Sequence, residues 1–307
     1  MLIIITFYTS IQYIFLAGVP ESVSGFAFIF ITSLVGFIIL LCVFFNELFR
    51  VDKTYFFQCL ILAIEIFLFN VFLLFGVDGV EVTTVSGIVS SYFIFLPLIE
   101  FILYKTKPQL NTILAIVLAL FGVYMIIGFD VKSFLNKNII FLLLADISMA
   151  LYIITTGEYA RNANPAIISM GQLLFVSIFS FISWIIEARI KGVNIVITKE
   201  PLFWGSVIFI GFFIRGLYTV IQVYAQRFVS NINVSLVFAS EIIMTLFFSN
   251  HISEFFGYEY VKSEITVIKC IGVILMIFAI CICDSGIFNI IFKRIRTKYD
   301  NSASNNS

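Results

Sequence analysis

Long apolar runs broken by short polar segments set the plan of this chain. About 20 mainly apolar residues are needed for a helix to cross a hydrocarbon core. Runs of that kind predict ten spans, at 2–18, 23–45, 55–77, 80–104, 109–129, 138–157, 165–186, 202–225, 232–249 and 265–283. Inside the runs, polar and apolar positions do not alternate with period two, which argues for helices rather than barrel strands. The connectors are short and carry most of the charge: Asn46 to Lys53, Lys105 to Pro108, Asp130 to Asn138, Glu187 to Pro201 and Asn250 to Glu264. The expected fold class is an all-α polytopic membrane protein. The tail at 285–307 ends in Asn and Ser and is expected to lack fixed structure.

The spans repeat. A shift of 145 residues lays Pro20 on Pro165, Ser24 on Ser169, Phe30 on Phe175, Asn70 on Arg215 and Pro97 on Ile242. Past an insertion at 250–261 the shift becomes 157, and Lys105 meets Lys262, Ala115 meets Gly272 and Gly122 meets Ala279. The order of spans and loops matches better than the individual residues do. The boundaries are a first repeat at 1–130 and a second at 131–284. Five helices is an odd number, so ten transmembrane helices would form two inverted five-helix repeats, a plan that recurs in secondary transporters.

Composition agrees. Hydrophobic residues make up 61% of the 307, and charged residues 12%, against about 25% in an ordinary soluble domain. That excludes a soluble enzyme, a nucleic-acid-binding domain and a disordered regulator. The zero net charge suggests no polyanionic partner. The first span lacks a basic leader, and Leu16 to Pro20 is a poor cleavage site, so it is expected to stay as a helix. The five cysteines fall in apolar spans and form no disulfide framework, and lone His251 sits in a loop, so no metal or cofactor is expected. Ten Lys and Arg fall on the side of the termini and seven on the other. This bias favours cytoplasmic termini, with a bacterial inner membrane as the expected location.

Four charges lie inside spans: Glu65, Asp146, Arg215 and Glu241. A charge at mid-bilayer costs at least a few kcal/mol, so such groups face a cavity or a partner. Three acids against one base leave two in excess, which suits either proton binding or a cationic substrate. Arg215, Tyr218, Thr219, Gln222 and Gln226 share one helical face of the eighth span. Thr6, Thr9, Ser10 and Tyr13 do so in the first, and Thr83, Gly87, Ser90 and Ser91 in the fourth. Small residues at that spacing also serve helix packing. Arg215 has two readings, a clamp for a substrate carboxylate or phosphate and a counter-ion for Glu241. Glu65 shares no helix face with Asn70 and has Gln58 as its polar neighbour. Tyr13, Tyr92, Tyr152 and Tyr218 are candidates for stacking on a ligand, and Trp184 and Trp204 for interfacial anchors.

Two stretches carry a family resemblance. Tyr224-Ala225-Gln226-Arg227-Phe228-Val229-Ser230, followed by Ser235-Leu236-Val237-Phe238-Ala239-Ser240-Glu241, resembles the eighth-to-ninth-helix segment of EamA-type transporters of the drug/metabolite transporter (DMT) superfamily. Val85-Ser86-Gly87, Leu96-Pro97 and Phe121-Gly122-Val123 are the first-half counterpart. Ile242 stands where that pattern has proline, and Lys105-Thr106-Lys107 where it has an acid. The resemblance implies ten helices around a central cavity and the movement of small metabolites.

The expected function is secondary transport of a small polar or amphipathic metabolite, such as an amino acid, driven by protons or by the substrate's own gradient. The runner-up is a multidrug or cationic-compound exporter of the same fold. The candidate pathway is Asp146, Arg215 and Glu241, with Glu65, Gln222, Tyr218 and Asn70 behind them. No nucleophile elbow, histidine pair, aspartate-rich phosphate motif or Walker sequence supports an enzyme. The expected partners are a small-molecule substrate, protons and the lipid bilayer, with no nucleic acid.

Overall fold

Capping residues and prolines set where the helices begin. Ser24 starts α1 (Gly25–Phe44), its hydroxyl accepting from the Phe26 amide. Asp52 starts α2 (Lys53–Gly76) by accepting from the Tyr55 amide at 2.8 Å. Asn164 caps α6 (Pro165–Lys191) in the same way, and Pro165 and Pro201 occupy first-turn positions of their helices. The computed structural model describes residues 6–10, 23–77, 85, 88–105, 107–127, 137–192, 197–239, 241, 243–245 and 266–283. The remaining helices are α3 (Tyr92–Tyr104), α4 (Leu110–Ile127), α5 (Lys137–Ala160), α7 (Pro201–Ala225), α8 (Asn231–Ala239) and α9 (Val267–Cys283). Residues 6–10 are helical as well, and among the described residues there is no strand.

These helices fall within, or overrun by a few residues, the apolar runs of the sequence. Five of the segments are long and apolar enough to cross a membrane: Gly25–Arg50, Lys53–Gly76, Lys137–Ala160, Pro165–Lys191 and Pro201–Ala225. Their outward faces are greasy: Phe57, Ile190 and Ile208 are each at least 60% exposed. Their inward faces hold Asn70, Asp146, Gln172 and Gln222, all buried. Polar inside and apolar outside suits a hydrocarbon solvent, where exposed apolar surface carries no penalty. The two ion pairs among the described residues, Arg50–Glu47 and Lys191–Glu187, lie at segment ends.

The helices pack in pairs. α1 runs antiparallel to α6, with Leu40 beside Met170 and Leu173, and the Phe30 ring tilted against Phe181 with centroids 5.0 Å apart. Both ends of that pair are fastened alike. Ser24, the cap of α1, bonds Glu187 near the end of α6, and Asn164, the cap of α6, bonds Glu47 just past α1 at 2.8 Å. α2 packs against α5 and α6, and α4 against α9. α4 and α9 meet through small residues: Gly122 lies against the Gly272 carbonyl, and Ala115 and Ala279 share one fully buried cluster.

α7 is not a uniform helix. Residues Ile210–Tyr218 form a π-helical segment between two α-helical ends. Such wide turns are rare and concentrate at functional sites. Here the wide turn lies where α1 crosses closest: a Cβ on Gly211 would lie 2.6 Å from the Val35 side chain.

Candidate functional site

The π-helical turn delivers Arg215 into a cavity of about 90 Å³ among α2, α5, α6, α7 and the residues around α3. Polar groups on its wall are Thr9, Asn70, Tyr92, Tyr152, Gln172, Arg215, Tyr218, Thr219 and Glu241; Phe69, Met149, Ile214 and Phe238 are among the apolar ones. Arg215 donates from Nη2 to Asn70 Oδ1 at 2.8 Å. Asn70 is oriented by its own amide, which donates to the Ile66 carbonyl one turn back. The Arg215 Nε has no partner and is sealed from solvent. Thr219 turns its hydroxyl back to the Arg215 carbonyl at 2.5 Å, the local bond that Thr often makes within a helix.

Gln172, 2% exposed, reaches the same wall from α6, beside the Tyr152 hydroxyl of α5. Arg215 Nε, Gln172 and Tyr152 thus present a cationic donor, an amide and a hydroxyl to whatever fills the cavity. Tyr218 lies against Phe238 with ring centroids 5.6 Å apart, forming an aromatic side wall.

The four stranded charges part company. Arg215 and Glu241 line the one cavity, yet no ion pair joins them. The partner of Arg215 is the amide of Asn70. Glu65 lies at the α2–α5 interface, where it accepts from Thr155 Oγ1 at 2.8 Å. Asp146 is fully buried on α5, outside the cavity wall, and bonds Ser91 Oγ at 2.8 Å. The polar stripe of α7 divides as well. Arg215, Tyr218 and Thr219 line the cavity; Gln222 lies outside its wall, fully buried with both amide atoms unpartnered. Gln226 donates to the Ile153 carbonyl at 2.8 Å.

The basic residue of the Tyr-Ala-Gln-Arg stretch has a local task. Arg227 Nε donates to the Ala160 carbonyl at 2.8 Å and its Nη2 to that of Ala163, closing the C-terminal end of α5. A guanidinium there satisfies carbonyls that lack helical partners and meets the negative end of the helix dipole. Gln172 carries no charge, so stranded charge does not mark it; an uncharged Gln inside an apolar run is the signal the sequence offers. The π-helical turn escaped it too, though Gly211 and Gly216 flank Arg215. His251, Thr83, Gly87, Tyr13 and the insertion at 250–261 lie outside the described residues. Among the described residues no cluster of His, Cys, Asp and Glu is suited to a metal ion.

Known proteins agree with this layout at the level of fold. Residues 1–128 match the model of the EamA-like transporter family, part of the drug/metabolite transporter superfamily. Among solved structures 27 chains match. One, described only as "Crystal structure of protein", superposes with a TM-score of 0.68 over 92% of this chain and 96% of its own length at 12% identity. At that identity the shared property is the fold. No curated protein matches.

Proposed function

We propose that this chain, whose first 128 residues carry the EamA-like family match, is a secondary transporter that moves a small polar metabolite through the Arg215 cavity. The observation that carries this reading is the gathering of polar groups on one wall of a largely apolar cavity: Arg215 Nε is buried and unpartnered there, with Gln172, Tyr152 and Glu241 on the same wall. A buried cation with a free donor among such groups suits a ligand-binding pocket. Glu241 on the same wall gives the site an acid opposite in charge to Arg215, which suits a substrate with both an anionic and a cationic or donor group. At about 90 Å³ the cavity has room for a small molecule rather than a drug-sized one.

Two inverted five-helix repeats, at 1–130 and 131–284, fit this function. The family match ends beside the expected boundary. Thr32 bonds the Phe28 carbonyl and Ser177 the Leu173 carbonyl, each at 2.8 Å, and both residues of the second pair lie 145 positions after the first. Alternating access then follows as a rocking of one half against the other about the fixed site. The termini lie in the cytoplasm and the chain in a bacterial inner membrane on this reading. No step calls for bond chemistry or a cofactor.

The test is flux in proteoliposomes of the purified full chain, with a panel of amino acids, related zwitterions, and organic cations, with and without a pH gradient. Uptake of a small zwitterion that is lost in Arg215→Ala supports the proposal. Flux of organic cations alone, unchanged by Arg215→Ala, overturns it.

A further inference from the structure

We propose that Asp146 is a proton-binding site, holding a neutral carboxylic acid against Ser91 and the Ile88 carbonyl at the break in the fourth span. The proposal rests on the transporter reading for its purpose, but its evidence is a count of hydrogens. Ser91 Oγ lies 2.7 Å from the Ile88 carbonyl oxygen and 2.8 Å from Asp146 Oδ2. Two oxygens at such a distance need a hydrogen between them. A hydroxyl has one hydrogen to give, a carbonyl none, and an ionised carboxylate none. The second hydrogen belongs to Asp146: its O–H donates to Ser91 Oγ, and Ser91 donates to Ile88.

The surroundings agree with a neutral group. Asp146 is fully buried, and its other oxygen, Oδ1, has no partner. An ionised carboxylate with one oxygen bare in apolar packing carries a large penalty, whereas a neutral acid does not. The neighbouring turns of α5 carry Ile139 and Leu142, which share an apolar cluster with Leu73, Val85, Ile88 and Val89. The titratable and charged groups on the elements packed against α5 are engaged elsewhere, neutral or at helix ends. Glu65 on α2 takes Thr155, Arg215 on α7 takes Asn70, and Asn231 on α8 takes Glu100 of α3. The remaining ones are the phenols Tyr92 and Tyr218 on the cavity wall, the buried thiol Cys59, and Lys53, Tyr55, Tyr104 and Tyr224 in the terminal turns of their helices, with Tyr152 on α5 itself. No cation lies within ion-pair distance of Asp146 among the described residues.

The place of this proton gives it leverage. Residues 88 and 89 are helical, Ser90 and Ser91 form a turn, and α3 starts at Tyr92. The Ser91 amide also bonds the Ile88 carbonyl at 2.8 Å, so the turn closes on the same oxygen. The residues on either side, Val89 and Tyr92, line the cavity beside Gln172 and Arg215, and so does Met149, one helical turn beyond Asp146. When the proton leaves, one hydrogen must serve two acceptors. The carboxylate takes the Ser91 hydrogen, the Ser91–Ile88 contact becomes repulsive, and the turn at the cavity wall must rearrange. Proton release is thereby tied to the shape of the cavity.

Infrared difference spectroscopy of the full chain in lipid, in water and in deuterium oxide at neutral pH, tests the proposal. The expected result is a deuterium-sensitive carboxylic-acid C=O band that is absent in Asp146→Asn and displaced in Ser91→Ala. Two variants guard against one failing to fold. Identical acid bands in the wild type and both variants would overturn the proposal. In proteoliposomes, the ratio of flux with a pH gradient to flux without one should fall to unity in Asp146→Asn; a ratio equal to the wild type's overturns the coupling role. Wild-type liposomes that carry nothing would sink the transporter reading instead, and the infrared band is read independently of flux.

Discussion

Arg215 donates a 2.8 Å hydrogen bond to Asn70, and the two residues stand 145 positions apart, the offset that aligns the two halves of the sequence. On the proposed plan of two repeats, a contact between equivalent positions would lie on the axis relating the halves, with one position present in two forms, a guanidinium in the second half and an amide in the first. The amide also fixes the guanidinium's direction, since its own nitrogen is held by the Ile66 carbonyl.

Removing that amide should leave a charged group short of an acceptor. Asn70→Leu is expected to lower stability by about 1–3 kcal/mol, the cost of an unmet buried hydrogen bond, seen as an earlier thermal midpoint in detergent. Asn70→Asp offers an ion pair instead and should raise the midpoint while slowing flux, because the guanidinium is then held away from substrate. An unchanged midpoint in Asn70→Leu would mean that Arg215 is held by something other than Asn70.

Gln172 should show the opposite balance of stability and function. It is 2% exposed and has the Tyr152 hydroxyl beside it, so Gln172→Leu removes a desolvated polar group at the cost of one contact with that hydroxyl. Stability should stay level or rise by up to about 1–2 kcal/mol, while substrate flux drops several-fold. A binding site commonly costs stability in this way. Loss of stability together with loss of flux would show that the contact with Tyr152 is a structural one.

The close crossing of α1 and α7 gives a steric prediction. A Cβ on Gly36 would lie 2.7 Å from Arg215 Cβ and 3.0 Å from the Gly211 carbonyl oxygen. These atoms belong to or adjoin backbone and cannot swing aside. Gly36→Ala should therefore push α7 back, shift Arg215 and lower both flux and the thermal midpoint. Gly205, on the same helix, has nothing within 4 Å of such a Cβ. Gly205→Ala should be neutral or stabilise by up to about 1 kcal/mol through helix propensity. Equal effects of the two substitutions, measured side by side in detergent, would refute a tight crossing.

Much of this layout was legible because its cause is local. Apolar length marks a span whatever surrounds it, and Ser24, Asp52 and Asn164 announce helix starts in the sequence itself. Stranded charge was an equally direct signal, and it pointed to Arg215 and Glu241 on one cavity wall. What stayed hidden depends on neighbours. Whether Asp146 faces Ser91 or Arg215 is decided by the rotation of α5 against the fourth span, and an apolar run leaves that rotation open. The π-helical turn that aims Arg215 likewise lies where α7 meets α1, a neighbour that the apolar run does not name. Gln172 has the polarity of a site residue without the charge that makes one conspicuous.

Arg227 separates the family-like stretch from the proposed site. It stands in the Tyr-Ala-Gln-Arg stretch, yet its guanidinium is spent on the Ala160 and Ala163 carbonyls at the end of α5, away from the cavity wall. Two bonds from one charged group to carbonyls without helical partners should contribute about 2–4 kcal/mol together. Arg227→Ala should therefore lower the thermal midpoint, and Arg227→Lys should recover part of it, since an ammonium reaches one carbonyl more readily than two. The apparent KM of any transported compound should change little in Arg227→Lys, because the cavity wall is untouched. Flux assays and thermal unfolding on the same preparations separate the cases. A large rise in KM with an unchanged midpoint would move Arg227 from the helix end to the transport path.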